Sequence, residues 1–162
     1  MRVEIVAEMV LKAGAAPAAE SRALQAFLAA VKGDESLFHL TGVATWQPTP
    51  SAETGVHGFG GSFVLGFRDG TLNRNRGLYF SLLEKLAELL REAGSPESLE
   101  ARLGLTREAA DGSLLRLALQ LVGSGNSPEQ AELRWGLGLI HVQQALLFTS
   151  RYLRQQLGAR ND

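Results

Sequence analysis

The residues best suited to bind a ligand form one short run, Asn73-Arg74-Asn75-Arg76, directly before a leucine-rich helical pattern. A helix begins with backbone N–H groups that lack acceptors and carry partial positive charge, so acids are usual there and arginines are not. Free N–H groups together with guanidinium groups suit a phosphate or a carboxylate. Together with Arg68, this run predicts an anion-binding loop. The alternative is that the arginines point outward or pair with acids.

A second candidate is His57, which stands in the irregular, glycine-rich segment before Ser62. It is a possible accessory residue of the arginine loop, or the centre of a small hydrolase or transferase. The chain has no Gly-x-Ser-x-Gly nucleophile elbow and no Walker loop. His39, His57 and His141 are far apart, with no carboxylate at a metal-ligand spacing, so we expect no metal and no cofactor.

Aromatic residues flank the arginine loop, and aromatics interleaved with arginines are typical of surfaces that bind single-stranded nucleic acid. The charges oppose an overall attraction, because 16 Lys and Arg against 17 Asp and Glu give a net charge of -1. The sequence signatures of RNA-binding domains are also missing. A phosphate-bearing ligand or a nucleic acid is therefore a possible partner through local contacts.

The elements that would position these residues differ between the two halves of the chain. Alternating or β-forming residues predict strands over residues 2–11, 37–46 and 62–67, and helical spacing predicts a helix over 18–32. Further on, the patterns predict helices from Gly77 to Gly94, after Ser95-Pro96-Glu97, over 107–122 with Thr106 as cap, and over about 128–157. Ser127 and Gln130 form a capping box for the last helix. Within 131–141 apolar residues alternate with polar residues and glycines, which is also compatible with a strand, but the capping box favours a helix.

These elements predict an α+β fold: a small three-stranded antiparallel sheet in the N-terminal half with one helix, followed by a helical C-terminal half of three to four helices. The length of 162 residues suits a single domain over residues 1–162, strand-rich over 1–70 and helical over 77–158.

The last helix carries more apolar residues than one buried stripe requires, which is typical of a helix shared with another subunit. The sequence therefore predicts a homodimer whose interface contains Trp135, Leu139, Val142 and Leu146. The favoured function is a non-enzymatic dimeric interaction or scaffold protein. The alternatives are an anion or nucleic-acid binding module using Arg68, Arg74 and Arg76, and a small hydrolase or transferase around His57.

The amino-acid composition indicates the cellular compartment of the protein. The chain has no cysteine, which excludes disulfides and thiolate chemistry and fits a reducing compartment. No uninterrupted apolar run approaches the roughly 18 residues that a membrane span needs. We therefore expect a soluble cytoplasmic protein with no membrane partner. The preference for arginine over lysine, with abundant alanine, leucine and glycine, is compatible with a thermophilic source.

Overall fold

The chain forms one mixed sheet with helices packed against one of its faces. The computed structural model describes residues 1–7, 9, 21–94, 97–108 and 112–159. A 3-10 turn, Gly70–Arg74, leads directly into the second helix. In chain order the strands and helices are β1 (Arg2–Ile5), α1 (Arg22–Lys32), β2 (Phe38–Trp46), β3 (His57–Phe67), α2 (Arg76–Glu92), β4 (Leu99–Glu108), β5 (Leu114–Gly125) and α3 (Pro128–Ala159).

The sheet has five strands in the order β1-β4-β5-β3-β2. β1 runs parallel to β4, whereas the pairs β4–β5, β5–β3 and β3–β2 are antiparallel. The short edge strand β1 is bonded to β4 through side chains as well, with ion pairs Arg2–Glu100 and Glu4–Arg102. Charged side chains on an edge strand disfavour the addition of a further strand.

The hydrophobic core lies between this sheet and the three helices. Alternate residues of β3 and β5 point toward α3, as the two-residue period of a strand requires. Gly61 and Gly123 mark the closest approach, because a Cβ at Gly61 would lie 2.6 Å from the Trp135 ring and one at Gly123 would lie 2.6 Å from the Trp135 backbone N. The Trp135 ring therefore fills the space of a side chain at Gly61, and the backbone of α3 fills the space of one at Gly123.

The predicted sheet of three antiparallel strands is wrong, and so is the predicted number of helices after it. The segments predicted as helices after Ser95-Pro96-Glu97 and over 107–122 are the strands β4 and β5. Ser95 and Pro96 themselves lie outside the described residues. Thr106 lies within β4 and caps no helix. β1 joins the sheet through β4, so its partner comes from a part of the chain predicted to be helical.

The high leucine content of β4 and β5 explains why these strands were predicted as helices. Leucine is a strong helix former, but the leucines of β5 recur at every second position, so that they share one buried face of the sheet. β4 shows the same alternation. Gly112, between the two strands, has a φ of +63°, the conformation that hairpin turns require. The dipeptide Asp111-Gly112 is the local signal that would have indicated a hairpin.

Several local predictions are confirmed. The class is α+β, β2 and α2 occupy nearly the predicted residues, and 131–141 is helical within α3. The capping box is present, because Ser127 Oγ accepts a hydrogen bond from the Gln130 backbone N–H at 3.1 Å and Gln130 Oε1 accepts one from the Asn126 backbone N–H at 2.7 Å. Within the described part of the chain, none of the helices combines the length and the apolar character that a membrane crossing needs.

Candidate functional site

The last helix, α3, is apolar on two opposite sides. One side packs on the sheet, and the other side is exposed. The exposed side chains follow one another at helical spacing, and we call them the outer stripe of α3: Leu133, Leu137, Ile140, Gln144, Phe148 and Tyr152. Their apolar members are between 41% and 75% exposed. A helix of a soluble domain normally presents polar residues on this side, so the stripe needs a specific explanation.

A groove runs beside the first half of the stripe, between α3 and the start of α1. It encloses about 810 Å³ and its walls include Ala23, Leu133, Leu137 and Ile140. The two helices approach closely there because Gly136 has no side chain; a Cβ on it would lie 3.2 Å from the Ala23 Cβ. The groove adds further apolar surface to the stripe.

The second half of the stripe borders α2. The Lys85 ammonium lies 5.9 Å from the ring centroids of both Phe148 and Tyr152, and it donates a hydrogen bond to Glu88 at 2.9 Å. That hydrogen bond is the main reason that the pKa of Lys85 is raised above its ordinary value. The Lys85 ammonium thus lies near both rings, and nearly half of each aromatic residue remains exposed.

The residues predicted to form the dimer interface lie elsewhere on the same helix. Trp135, Leu139, Val142 and Leu146 are all at most 2% exposed and belong to the core of the chain itself. Core packing explains them without a partner. A helix turns about 100° per residue. Leu133, Leu137 and Ile140 therefore lie on the side of α3 opposite the four buried residues. A dimer interface on α3 stays a prediction. The exposed surface of α3 that could form it is the outer stripe.

Arg68, predicted to bind an anion, is instead bonded to the backbone of its own chain. Its Nη2 donates to the carbonyl oxygens of Val31 and Gly33, each at 2.9 Å, and its Nε donates to the carbonyl of Phe38 at 3.0 Å. Gly33 is the C-cap of α1. The guanidinium therefore binds carbonyl groups at and just beyond the end of α1, of which that of Gly33 also accepts from the Ser36 backbone N–H at 3.1 Å. Its charge complements the negative end of the helix.

Replacing Arg68 by alanine is expected to lower the free energy of unfolding by about 2 kcal/mol, because carbonyl groups near the end of α1 lose a charged donor. Urea denaturation followed by circular dichroism measures the change. Arg74→Ala is the control, because Arg74 is exposed and makes no hydrogen bond or ion pair with a described residue; we expect a change within about 0.5 kcal/mol. Equal losses in the two variants would contradict this role for Arg68.

The two asparagines of the loop also have structural roles. The buried Asn73 side chain accepts a hydrogen bond from the Phe67 backbone N–H at 2.8 Å and donates one to the Phe67 carbonyl at 3.0 Å. The Tyr79 hydroxyl donates to the same Asn73 Oδ1 at 2.6 Å, and burial raises the pKa of the Tyr79 phenol. Asn75 is the N-cap of α2, with its Oδ1 accepting from the Leu78 backbone N–H.

Arg74 and Arg76 are the cations of the predicted loop that donate no hydrogen bond to a described residue, and both are exposed. The Arg76 guanidinium stacks over the Phe80 ring at 5.3 Å from its centroid. Arg76 also lines a small pocket together with Arg107 of β4, a residue that the sequence did not connect with the loop. Arg107 lies 31 positions further along the chain, and no local sequence pattern indicates that the two side chains line the same pocket.

His57, the possible accessory or catalytic residue, is half-buried at the first position of β3, where it pairs with Gly125 of β5. The structure does not bring it into the small pocket that holds Arg76. The described residues contain no group of three or more His, Asp or Glu side chains that would hold a metal ion. Comparison with protein-family models, with curated proteins and with solved structures finds no match for this chain.

Proposed function

We propose that this chain is a non-enzymatic interaction protein that binds a second copy of itself through the outer stripe of α3. The observation that carries the proposal is the continuous exposure of large apolar side chains along this helix, of which Leu133 is 75% exposed. Removing apolar surface from water yields about 25 cal/mol per Å², so a stripe of this kind favours association.

The charges at the two ends of the stripe favour a second copy as the partner. Glu129 and Arg151 are both exposed, and they lie equally far from Ile140, about 16 Å on either side along the helix. If two copies of α3 pack antiparallel about a two-fold axis at Ile140, Glu129 of each chain comes next to Arg151 of the other. The same symmetry brings Leu133 opposite the region of Phe148. Symmetric dimers require such self-complementary surfaces.

Arg151 already donates a hydrogen bond to Glu35 of its own chain at 3.0 Å. Both side chains of that pair are about two-thirds exposed, so it contributes little to stability. A guanidinium has five N–H donors and can bind a second carboxylate from a partner chain. An interface of common size buries about 800 Å² on each chain, and the groove beside α1 adds its walls to the area of the stripe.

The first test compares two matched substitutions at exposed β-branched residues. Ile140 is 46% exposed on the stripe, and Val56 is 40% exposed in the loop before β3. Ile140→Lys places like charges at the proposed two-fold axis, and we expect it to convert a dimer into a monomer at micromolar concentration. Val56→Lys should leave the dimer mass unchanged. Light scattering coupled to size exclusion measures both, and a monomeric mass for the unmodified protein would refute the proposal.

A charge exchange tests the antiparallel arrangement. Glu129→Arg and Arg151→Glu are each expected to weaken association severalfold, because each places like charges side by side in the dimer. The double variant restores opposite charges and should recover most of the lost affinity, as measured by sedimentation equilibrium at low salt. If a dimer forms but the double variant is weaker than both single variants, the register is wrong although the interface is real.

No observation favours an enzyme centred on His57 over this proposal. The part of the chain that the structure describes places no acid next to that imidazole in a hydrogen bond or an ion pair. Binding of an anion is a separate proposal, which rests on Arg76 and Arg107 and does not require the dimer.

A further inference from the structure

A small pocket lies where the start of α2 meets the end of the β4–β5 hairpin. Its volume is about 70 Å³, and its walls are formed by Ala7, Arg76, Phe80, Leu105, Arg107 and Leu115. Two of these residues are cations that come from different elements. Arg76 is the first residue of α2, and Arg107 stands opposite Leu115 in the sheet register.

No acid among the described residues neutralises the two guanidinium groups. Among the described residues, neither Arg76 nor Arg107 forms an ion pair. The acid closest in sequence, Glu108, is committed elsewhere, because its Oε2 lies 3.1 Å from Nε of Arg116. Glu108 and Arg107 also point to opposite faces of the sheet, since neighbouring residues of a strand alternate.

The rest of the pocket raises the cost of leaving two like charges together. Leu105 and Leu115 are at most 9% exposed and supply apolar walls. Screening is weaker beside such walls than in open water, so repulsion between the two cations is stronger there. The contact of Arg76 with the Phe80 ring at 5.3 Å holds its guanidinium near the pocket. An anion between the two side chains would relieve the repulsion and accept hydrogen bonds from both.

We propose that Arg76 and Arg107 form a binding site for a phosphate group. A phosphate monoester carries about -1.5 to -2 charges at pH 7, which matches two fixed cations better than the single charge of a carboxylate. The cavity volume of about 70 Å³ is several times the roughly 10 to 15 Å³ that one water molecule needs, so it has room for one such group. The site retains Arg76 from the predicted loop and adds Arg107. It omits the other predicted residues, which are Arg68, Asn73, Arg74 and Asn75.

Binding of inorganic phosphate tests the proposal, measured by calorimetry and by the shift in thermal unfolding at 50 mM NaCl and pH 7.5. We expect saturable binding that weakens severalfold at 300 mM NaCl, because salt screens the attraction. Arg76→Gln and Arg107→Gln should each weaken binding at least tenfold. Arg74→Gln is the matched control, since Arg74 is also exposed in the same loop but does not line the pocket, and it should bind as the unmodified protein does.

Binding at a lower pH and binding of two other ligands identify the class of anion that the site prefers. At pH 5.5 inorganic phosphate is mainly a monoanion, because its second pKa lies above the value of about 6 that a phosphate monoester has, so binding should weaken while both arginines stay charged. Acetate should produce no comparable shift. Phosphoserine in place of inorganic phosphate distinguishes a free anion from a monoester, and tighter binding of phosphoserine would show that the site serves a larger phosphorylated ligand.

Defined results would overturn the proposal. One is the absence of saturable phosphate binding to the unmodified protein, and another is an equal loss of binding in Arg74→Gln and Arg107→Gln. A circular dichroism spectrum checks that each variant is folded. If Arg107→Gln does not fold, Arg107→Lys serves instead, because it keeps the charge but loses the two-pronged geometry and should bind phosphate severalfold more weakly. None of these readouts depends on whether the chain dimerises.

Discussion

Gly123→Ala is expected to lower the free energy of unfolding by about 3 kcal/mol. The added Cβ would lie 2.6 Å from the Ala131 carbonyl oxygen and 2.6 Å from the Trp135 backbone N, well inside contact distance. Both neighbours are backbone atoms of α3, so relief requires the whole helix to lift from β5. Gly→Ala at a compatible site normally stabilises a protein by about 0.4 to 1 kcal/mol through the unfolded chain, which makes a large loss diagnostic of the contact.

Gly70→Ala is the control for this substitution, because a Cβ at Gly70 would have no atom within 4 Å. We expect its stability to stay within about 0.5 kcal/mol of the unmodified protein. Urea denaturation of both variants under identical conditions measures the difference. Similar stabilities for the two would mean that α3 does not pack against Gly123 as closely as the structure has it.

Trp135→Ala is expected to cost about 3 to 5 kcal/mol, the usual loss when a large buried aromatic residue is truncated. The indole is fully buried, with its centroid 4.8 Å from that of Phe59 and 6.4 Å from that of Phe63. Because all these contacts are within one chain, the loss should be the same at protein concentrations above and below the point where dimers form. Circular dichroism is the readout, since the substitution also removes a fluorophore.

Leu133→Ala is the matched comparison two positions away on the same helix. Leu133 is 75% exposed, so its truncation should change the stability of the monomer by less than about 0.5 kcal/mol but weaken self-association. The two variants thus separate the buried side of α3 from its outer stripe. If Trp135→Ala changed the dimer mass and left the stability of the monomer intact, Trp135 would be an interface residue and the assignment to the core would be wrong.

The candidate sites show how far the sequence alone could lead. The excess of apolar residues on the last helix was visible in the sequence, but the pattern did not tell which of them face the sheet. The Trp135 ring is buried because Gly61, far away in the chain, leaves room for it, and Gly123 lets the backbone of α3 approach β5 closely. Likewise, the sequence predicts an anion-binding role for Arg68, whereas in the fold its guanidinium donates to carbonyl groups at the end of α1.

The sequence by itself determined what depends on neighbours a few positions apart. Helix starts are set by local hydrogen bonds, as at Ser127 with Gln130 for α3. The course of α2 followed from its leucine spacing. A segment rich in leucine such as 115–121 suits either a helix or a strand by composition, and local energies differ too little to decide between them.

Only the tertiary structure decided the rest, because those choices are made by contacts between distant segments. β5 is a strand since β3 and β4 offer it backbone partners on both sides. Arg76 and Arg107 line one pocket because the end of β4 and the beginning of β5 lie beside the start of α2. Burial and strand pairing outweigh single-residue propensities of a few tenths of a kcal/mol, and that difference in magnitude is why these features were not readable from local patterns.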